Sequence, residues 1–485
     1  MQRQHAKAVH RKRRIIFNND GDDALYYAKE PTPQGLLEVR AIPATNTHVD
    51  SMFYCTVLPF GSFQHNTQVG EVFTQDVAGK RNITKHLIAQ GTDPLKVMAD
   101  YCQTNGIEIF SSFRMNDVHD GAGFPMFLPE FKQQHPEFLF GSEESPPRYG
   151  YWSGVDYGQP EIRDLAFTFI SDICRRYDID GIELDFYRAS PFFKRHAWGK
   201  SVLKRELEEM TSLLRRVRQM TAAVEEQRTR PFLVAARILE SVELSRDYGL
   251  DLLAWLKEGL IDLIITGEVS LAPWEDLIHL GHQYGVPVYP CLRRTMWYDD
   301  PDYKSVESFR AQALSAWKLG ADGIYLFNLF PEEGYTDLFS ELGEPELLEA
   351  RDKLYSLDPV RIEVFSKYFG RMDRYITRSV ISPKNPLGLR PGVTRRIPMF
   401  VGDALREDAK SPAVSARISL TGQEGASGLS VALNGHELAF TQSSLSQLEA
   451  DVPPRWLRCG YNLFEFRCSG SGSLTVLDLK LTVRY

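Results

Sequence analysis

Gly181–Arg188 reads GIELDFYR, an apolar run with a polar side chain at every second place. Successive side chains of an extended strand point to opposite faces, so Ile182, Leu184 and Phe186 share one face and Glu183, Asp185 and Tyr187 the other. The apolar face suits a covering layer of helices. The carboxylates then face an interior, where each is costly unless paired or hydrogen-bonded. Either an ion pair with a neighbouring arginine (Arg114 or Arg237) or a catalytic role accounts for them.

Seven similar runs flank this one. RIIFNND (14–20), MFYCTVLPF (52–60) and IEIFSSFRMND (107–117) precede it; FLVAARI (232–238), LIITGEV (263–269), VPVYPCLR (286–293) and GIYLFNL (323–329) follow. Continuous apolar runs of this length fit strands buried on both faces of a parallel sheet. Helical patterns lie between them. Ile162, Leu165, Phe169 and Ile173 recur at helical steps in 160–177, 200–227 is a long amphipathic run, and 306–319 ends at Gly320. Eight strand–helix alternations predict an α/β chain with a (β/α)8 TIM barrel. An open dinucleotide-binding sheet would carry a glycine-rich phosphate turn after its first strand; this chain has NNDGDD there.

The barrel is expected over residues 14–370, after a solvated basic tail at 1–13. The Pro- and Gly-rich SPKNPLGLRPG opens at Ser382 and marks a linker, placed at 371–395. Residues 396–485 change to period-two strands (SARISL, LSVALNG, YNLFEFR, LTVLDLKLTVRY) separated by turns, the pattern of an all-β sandwich of jelly-roll type. Cys459 and Cys468 are close enough in sequence to pair across a hairpin, and that pairing is left open.

The 485 residues carry 56 basic and 64 acidic side chains, a net charge of −8. No basic footprint for nucleic acid is present. No apolar run approaches the roughly 18 residues of a membrane span, and no signal-type segment follows the basic start. The expectation is no membrane contact and a cytoplasmic location by default, with export left open. No zinc spacing, Walker loop or Rossmann fingerprint appears, so neither cofactor nor metal is expected.

In a (β/α)8 barrel the chemistry collects at the C-terminal strand ends. The candidates there are Asn19, Asp20 and Asp22 after the first strand, Arg114, Asn116 and His119 after the third, and Glu183, Asp185, Tyr187 and Arg188 on the fourth. Arg237 follows on the fifth, Glu268 after the sixth, Arg293 after the seventh and Asn328 after the eighth. Trp152 and Trp297, on loops, could stack on a sugar face or pack in the core. Asp185 and Glu268 come from strands two apart on the ring, so their carboxyls can face each other across a sugar. Paired carboxylates are what glycosidic cleavage requires, one as acid and one as nucleophile or base. The arginines at the strand ends suggest an anionic glycan, uronic or sulfated, unless they pair with the site's own acids.

Asp156–Arg188 (DYGQPEIRDLAFTFISDICRRYDIDGIELDFYR) resembles the glycosyl-hydrolase-like family ten barrels, whose corresponding stretch runs D-x-G-x-P-E-V-R, a helix, then R-Y-D-V-D-G-I-x-x-D. The resemblance extends over roughly residues 12–370 and implies carbohydrate hydrolysis without fixing a substrate. The same strand is similar to the D-G-x-D-x-D-x-E of chitinases, but Glu183 replaces an aspartate and Tyr187 stands where that family has its catalytic glutamate. A nucleophile on strand four with an acid on strand six resembles the α-galactosidase clan; that analogy implies Asp185 as nucleophile and Glu268 as acid/base. The expected function is therefore two-carboxylate glycoside hydrolysis, with Glu183 tuning the pair. A non-catalytic glycan-binding barrel and a uronic-acid lyase are the alternatives.

Overall fold

The computed structural model describes residues 2–188, 191–268, 271–292, 301–331, 334–357, 372–405, 412–422, 428–444, 446–469 and 474–485; the side chains of residues 22, 372, 373 and 422 are outside the description. Eight parallel strands form a closed barrel: β1 (Ile15–Asp20), β2 (Val49–Cys55), β3 (Glu108–Arg114), β4 (Gly181–Asp185), β5 (Leu233–Ile238), β6 (Leu263–Thr266), β7 (Val288–Tyr289 and Cys291–Leu292) and β8 (Ile324–Phe327). Each pairs with the next in sequence order, and β8 returns to β1 with Ile15 opposite Ile324. Closure runs through Pro290, which has no N–H for the ladder. The half of β7 before it pairs with β6 and the half after it with β8.

The strand-four alternation is as expected. Ile182, Leu184 and Phe186 join the core between strands and helices, while Glu183 and Asp185 face the barrel interior, 0% and 1% exposed. α1 (Gln2–Val9) precedes the barrel, and the helix layer includes α2 (Pro94–Thr104), α3 (Pro160–Arg176), α4 (Lys204–Arg228), α5 (Trp274–Gln283) and α6 (Val306–Lys318). Local chemistry marks their ends. The Asp93 carboxylate accepts from the Lys96 amide at 3.0 Å to start α2, the Ser305 hydroxyl accepts from the Ser308 amide at 3.1 Å to start α6, and Gly320 (φ +89°) turns the chain after α6.

Two boundaries differ from the sequence reading. The basic start is not a free tail. Residues 2–9 form α1, whose Val9 closes the barrel floor with Ile16, Phe53, Phe110 and Leu233. His5 touches Glu225 at 2.7 Å and Asp262 at 3.0 Å, so charge on the barrel floor holds the helix down. The second boundary is that of the sandwich, which begins before the expected linker. Lys353–Ser356 pairs with the final strand, Leu474–Arg484, and Leu387–Leu389, inside the supposed linker, pairs with it too. A short strand recruited by a distant partner leaves no period of its own in the sequence.

The sandwich has a sheet built on Ala413–Gly422 and Leu474–Arg484 and a second on Arg395–Val401 and Gly460–Cys468. Their inner faces share one apolar core that also takes in Ala311 of α6. Polar contacts add to this join: Tyr303 donates to Asp478 at 2.8 Å, and Lys480 donates to Asp302 at 2.9 Å. Cys459 and Cys468 are free thiols, one exposed and one buried.

Candidate active site

The barrel interior is layered. Above the floor lies a buried polar network in which each of four strands supplies one group. Asn18 (β1) donates to the Tyr325 (β8) hydroxyl at 2.7 Å, Tyr325 donates to Glu183 Oε2 (β4) at 3.2 Å, and the Ser112 (β3) hydroxyl donates to the same oxygen. Burial, with Asp185 next, pushes the Glu183 carboxyl above its ordinary range, against the opposing pull of Arg237. Glu183 is thus biased toward the neutral acid, which suits a support under Asp185 rather than a second anion beside it.

Asp185 ends β4 at the next inward position. Its Oδ1 accepts the backbone amides of Tyr187 at 2.9 Å and Arg188 at 3.2 Å, and its Oδ2 lies 3.3 Å from Arg237 Nη1. Arg237, 0% exposed, is sandwiched among rings, with its guanidinium carbon 4.0 Å from the Phe327 centroid and 5.0 Å from that of Tyr187. Backbone amides and a locked cation leave the carboxylate one orientation.

Glu268 follows β6 at the same mouth, within electrostatic reach of Arg237, Arg188 and Asp185. Burial raises its carboxyl, the two arginines oppose the rise, and Asp185 adds to it. Gly267, just before it, lies against Tyr187 and Glu240; a Cβ there would meet the Tyr187 ring at 2.1 Å and Glu240 Oε1 at 2.4 Å. Gly267→Ala is therefore expected to lower stability by about 1–3 kcal/mol and to move Glu268. Thermal unfolding alongside binding or turnover checks this, and an unchanged melting temperature would contradict it.

A second cluster lines the β1–β3 side of the mouth. Arg114 donates to Asp20 at 2.6 Å and to Asp117 at 3.1 Å. Asp117 Oδ1 accepts from the His119 amide at 3.0 Å and lies 2.7 Å from its Nδ1, and the far ring nitrogen is 3.3 Å from Arg188 Nη2. Burial raises the Asp117 carboxyl, but His119, Arg114 and Arg188 outweigh it and hold the group well below the usual carboxylate range. An ionised aspartate that orients an imidazole beside a guanidinium can grip hydroxyls or move a proton.

The barrel thus brings together Asp20, Arg114, His119, Glu183, Asp185, Arg188, Arg237 and Glu268 around one mouth. The remaining expected residues each have their own place. Asn19 points out of the barrel, its amide 3.8 Å from the Met52 sulfur in the helix-side core, because alternation along β1 turns Asn18 and Asp20 inward instead. The Asn116 amide donates to the Val155 and Pro191 carbonyls and accepts from the Val155 amide, so it pins two loops. Tyr187 is 3% exposed in a cluster with Leu239, Leu244 and Tyr248, and Trp152 packs half-buried against the main core. Asn328 lies just past β8 in the left-handed region, φ +51°. The Asp22 side chain, Arg293 and Trp297 lie outside the described residues. Asn18, Asp117 and Glu240 are legible as polar groups at strand ends but were not among the expected site residues, although the period-two signal selects Asn18; Ser112 and Tyr325 are brought in only by barrel closure. Among the described residues, no group of three or more His, Cys, Asp or Glu is arranged to hold a metal ion, and no helix is long and apolar enough to cross a membrane.

No family model matches the chain, and no curated protein matches it. Among solved structures, the chain is similar to α-L-fucosidase isoenzyme 2 from Paenibacillus thiaminolyticus, at 12% identity over 77% of this chain and 51% of that one, TM-score 0.44. It is similar to the PgaB (BpsB) glycoside hydrolase domain from Bordetella bronchiseptica, at 11% identity over 69% of this chain and 99% of that one, TM-score 0.45. A third is the GH36 α-galactosidase AgaA from Geobacillus stearothermophilus, at 10% identity over 95% of this chain and 56% of that one, TM-score 0.39. The chain spans about half the length of the fucosidase and of the galactosidase. Likeness at these values leaves the chemistry to the residues of the mouth.

Proposed function

We propose that this barrel hydrolyses a glycosidic bond, with Asp185 as nucleophile or base and Glu268 as the acid. The observation that carries the reading is the contrast between two carboxyls at one mouth. Asp185 is held by two backbone amides and Arg237, while burial raises Glu268 toward its protonated form. A fixed acceptor opposite a group inclined to keep its proton is the division of labour that glycosidic cleavage uses. The resemblance of Asp156–Arg188 to the glycosyl-hydrolase-like family ten barrels supports the same reading.

Glycan hydroxyls would meet Asp20, His119 and Arg188 on the β1–β3 side. Arg114 and Arg237 are matched by Asp20, Asp117 and Asp185, so among the described residues the preference for an anionic sugar rests on Arg188. Product release from neutral, uronic and sulfated oligosaccharides tests the activity; release from none of them would contradict it.

The pH profile follows from the proton on Glu268. The acid works only while protonated, so kcat/KM should hold to higher pH than an ordinary glutamate of about 4.3 would allow, then fall as pH rises through the raised value. Glu268→Gln should remove that alkaline limb. A limb that survives the substitution belongs to another group.

A second reading has one observation in its favour. The Arg237–Asp185 pair also closes the barrel as a purely structural ion pair would, which fits a glycan-binding barrel without turnover. Binding that outlives Asp185→Asn, with no cleavage by wild type, would favour it.

A further inference from the structure

Away from the barrel mouth, a cavity of about 610 Å³ lies between the barrel's α5–α6 side and the sandwich, within the roughly 300–1,000 Å³ of small-molecule sites. Trp274, Tyr355, Phe400 and Tyr461 supply aromatic walls, and Glu275 and Arg378 supply charge. Tyr461 and Phe400 pack edge to face at 5.3 Å, and Tyr461 is 40% exposed. The Tyr461 hydroxyl donates to Glu275 Oε1, while Glu275 Oε2 is enclosed without a partner among the described residues. The Arg378 guanidinium likewise has no hydrogen-bond or ion-pair partner among them, and burial lowers its pKa, with Tyr461 and Glu275 pulling the other way.

An enclosed acceptor and a fork of donors lining one cavity with aromatic rings narrow the ligand. A simple anion would meet Arg378 but also Glu275, and like charge repels it. A wholly apolar ligand would seal both charged groups away from water with nothing in return. A neutral sugar answers both: adjacent hydroxyls donate to the carboxylate and accept from the guanidinium, and the C–H face of the ring lies on an aromatic wall. We infer that this crevice is a second, non-catalytic binding site for a neutral oligosaccharide. The inference rests on the glycosidase reading only for the class of compound to be tried.

The experiment is calorimetric titration of the full chain with neutral tri- and tetrasaccharides of glucose, galactose, mannose, fucose and N-acetylglucosamine, with hydrolysis followed in parallel. Asp185→Asn should retain crevice binding. Arg378→Met and Tyr461→Ala should each weaken it about 10–100-fold, the loss expected for a hydrogen bond to a charged group or a stacking face, with hydrolysis of a short substrate unchanged. Glu275→Gln, which keeps the shape of the side chain, gives an independent arm if either variant fails to fold. Binding equal in wild type and every folded variant, or no binding by any saccharide, overturns the inference. Hydrolysis without crevice binding sinks this site and spares the catalytic reading; crevice binding without hydrolysis does the reverse.

Discussion

Asp185→Asn should lower kcat/KM on any cleaved glycan by about 10²–10⁴-fold or more while the barrel stays folded. The asparagine carbonyl still accepts from the Tyr187 and Arg188 amides, which hold Asp185 Oδ1 at 2.9 and 3.2 Å. Arg237 loses its carboxylate at 3.3 Å but keeps the Phe327 and Tyr187 rings. Arg237 is then a buried cation without its carboxylate, so the stability loss is about 3–5 kcal/mol, as for any buried pair that loses one partner. The negative charge needed for attack on the anomeric carbon, or for activation of water, disappears altogether. Turnover per folded molecule and the melting temperature, measured together, separate the roles. A large fall in stability with turnover intact would make Asp185 a barrel-closing partner of Arg237 and no more.

The second large effect lies at the opposite end of the barrel. Arg13, 0% exposed, donates through Nε to Glu108 Oε2 at 2.6 Å and through Nη2 to Glu108 Oε1 at 2.8 Å. Its Nη1 reaches the Val9 carbonyl at 2.8 Å, tying α1 to the floor, and Ser51 donates to Glu108 at 2.6 Å. Arg13→Met leaves Glu108 buried with the Ser51 hydroxyl alone, and removing one partner of a buried pair costs about 3–5 kcal/mol. Arg13→Met with Glu108→Leu should recover much of that loss, because an apolar pair needs no charge partner. Denaturant unfolding of both single variants and the double variant gives the cycle. Single variants within about 0.5 kcal/mol of wild type, the range of ordinary surface substitutions, would contradict the floor as described.

These two positions also mark what the sequence could and could not disclose. GIELDFYR was legible because one strand carried its own contrast: three apolar side chains toward the helices and two acids toward the interior. The eight-fold alternation was legible because short, largely apolar runs recur with amphipathic helical patterns between them. Arg13 looked like one of several charges in a basic start. Nothing local separates it from Arg11 or Lys12; its meaning depends on Glu108, 95 residues away. The network of Asn18, Ser112, Glu183 and Tyr325 was hidden in the same way, because it needs β1, β3, β4 and β8 in register around a closed ring. Asn19 was misread although the signal was present: the alternation applied to β4, applied equally to β1, selects Asn18 and Asp20. The strands at 353–356 and 387–389 were missed because the final strand, not their own composition, makes them strands.

In the proposed reaction Glu268 donates a proton to a departing sugar oxygen while Asp185 acts on the anomeric carbon. Leaving-group dependence separates these two roles. Wild type and Glu268→Gln would be compared on two glycosides of whichever sugar the chain cleaves, one with an alkyl and one with a dinitrophenyl leaving group. A dinitrophenolate departs without protonation, so the account predicts that Glu268→Gln loses about 10²–10⁴-fold on the alkyl glycoside and little on the dinitrophenyl one. Equal losses on both would contradict the assignment and move the acid to another group at the mouth.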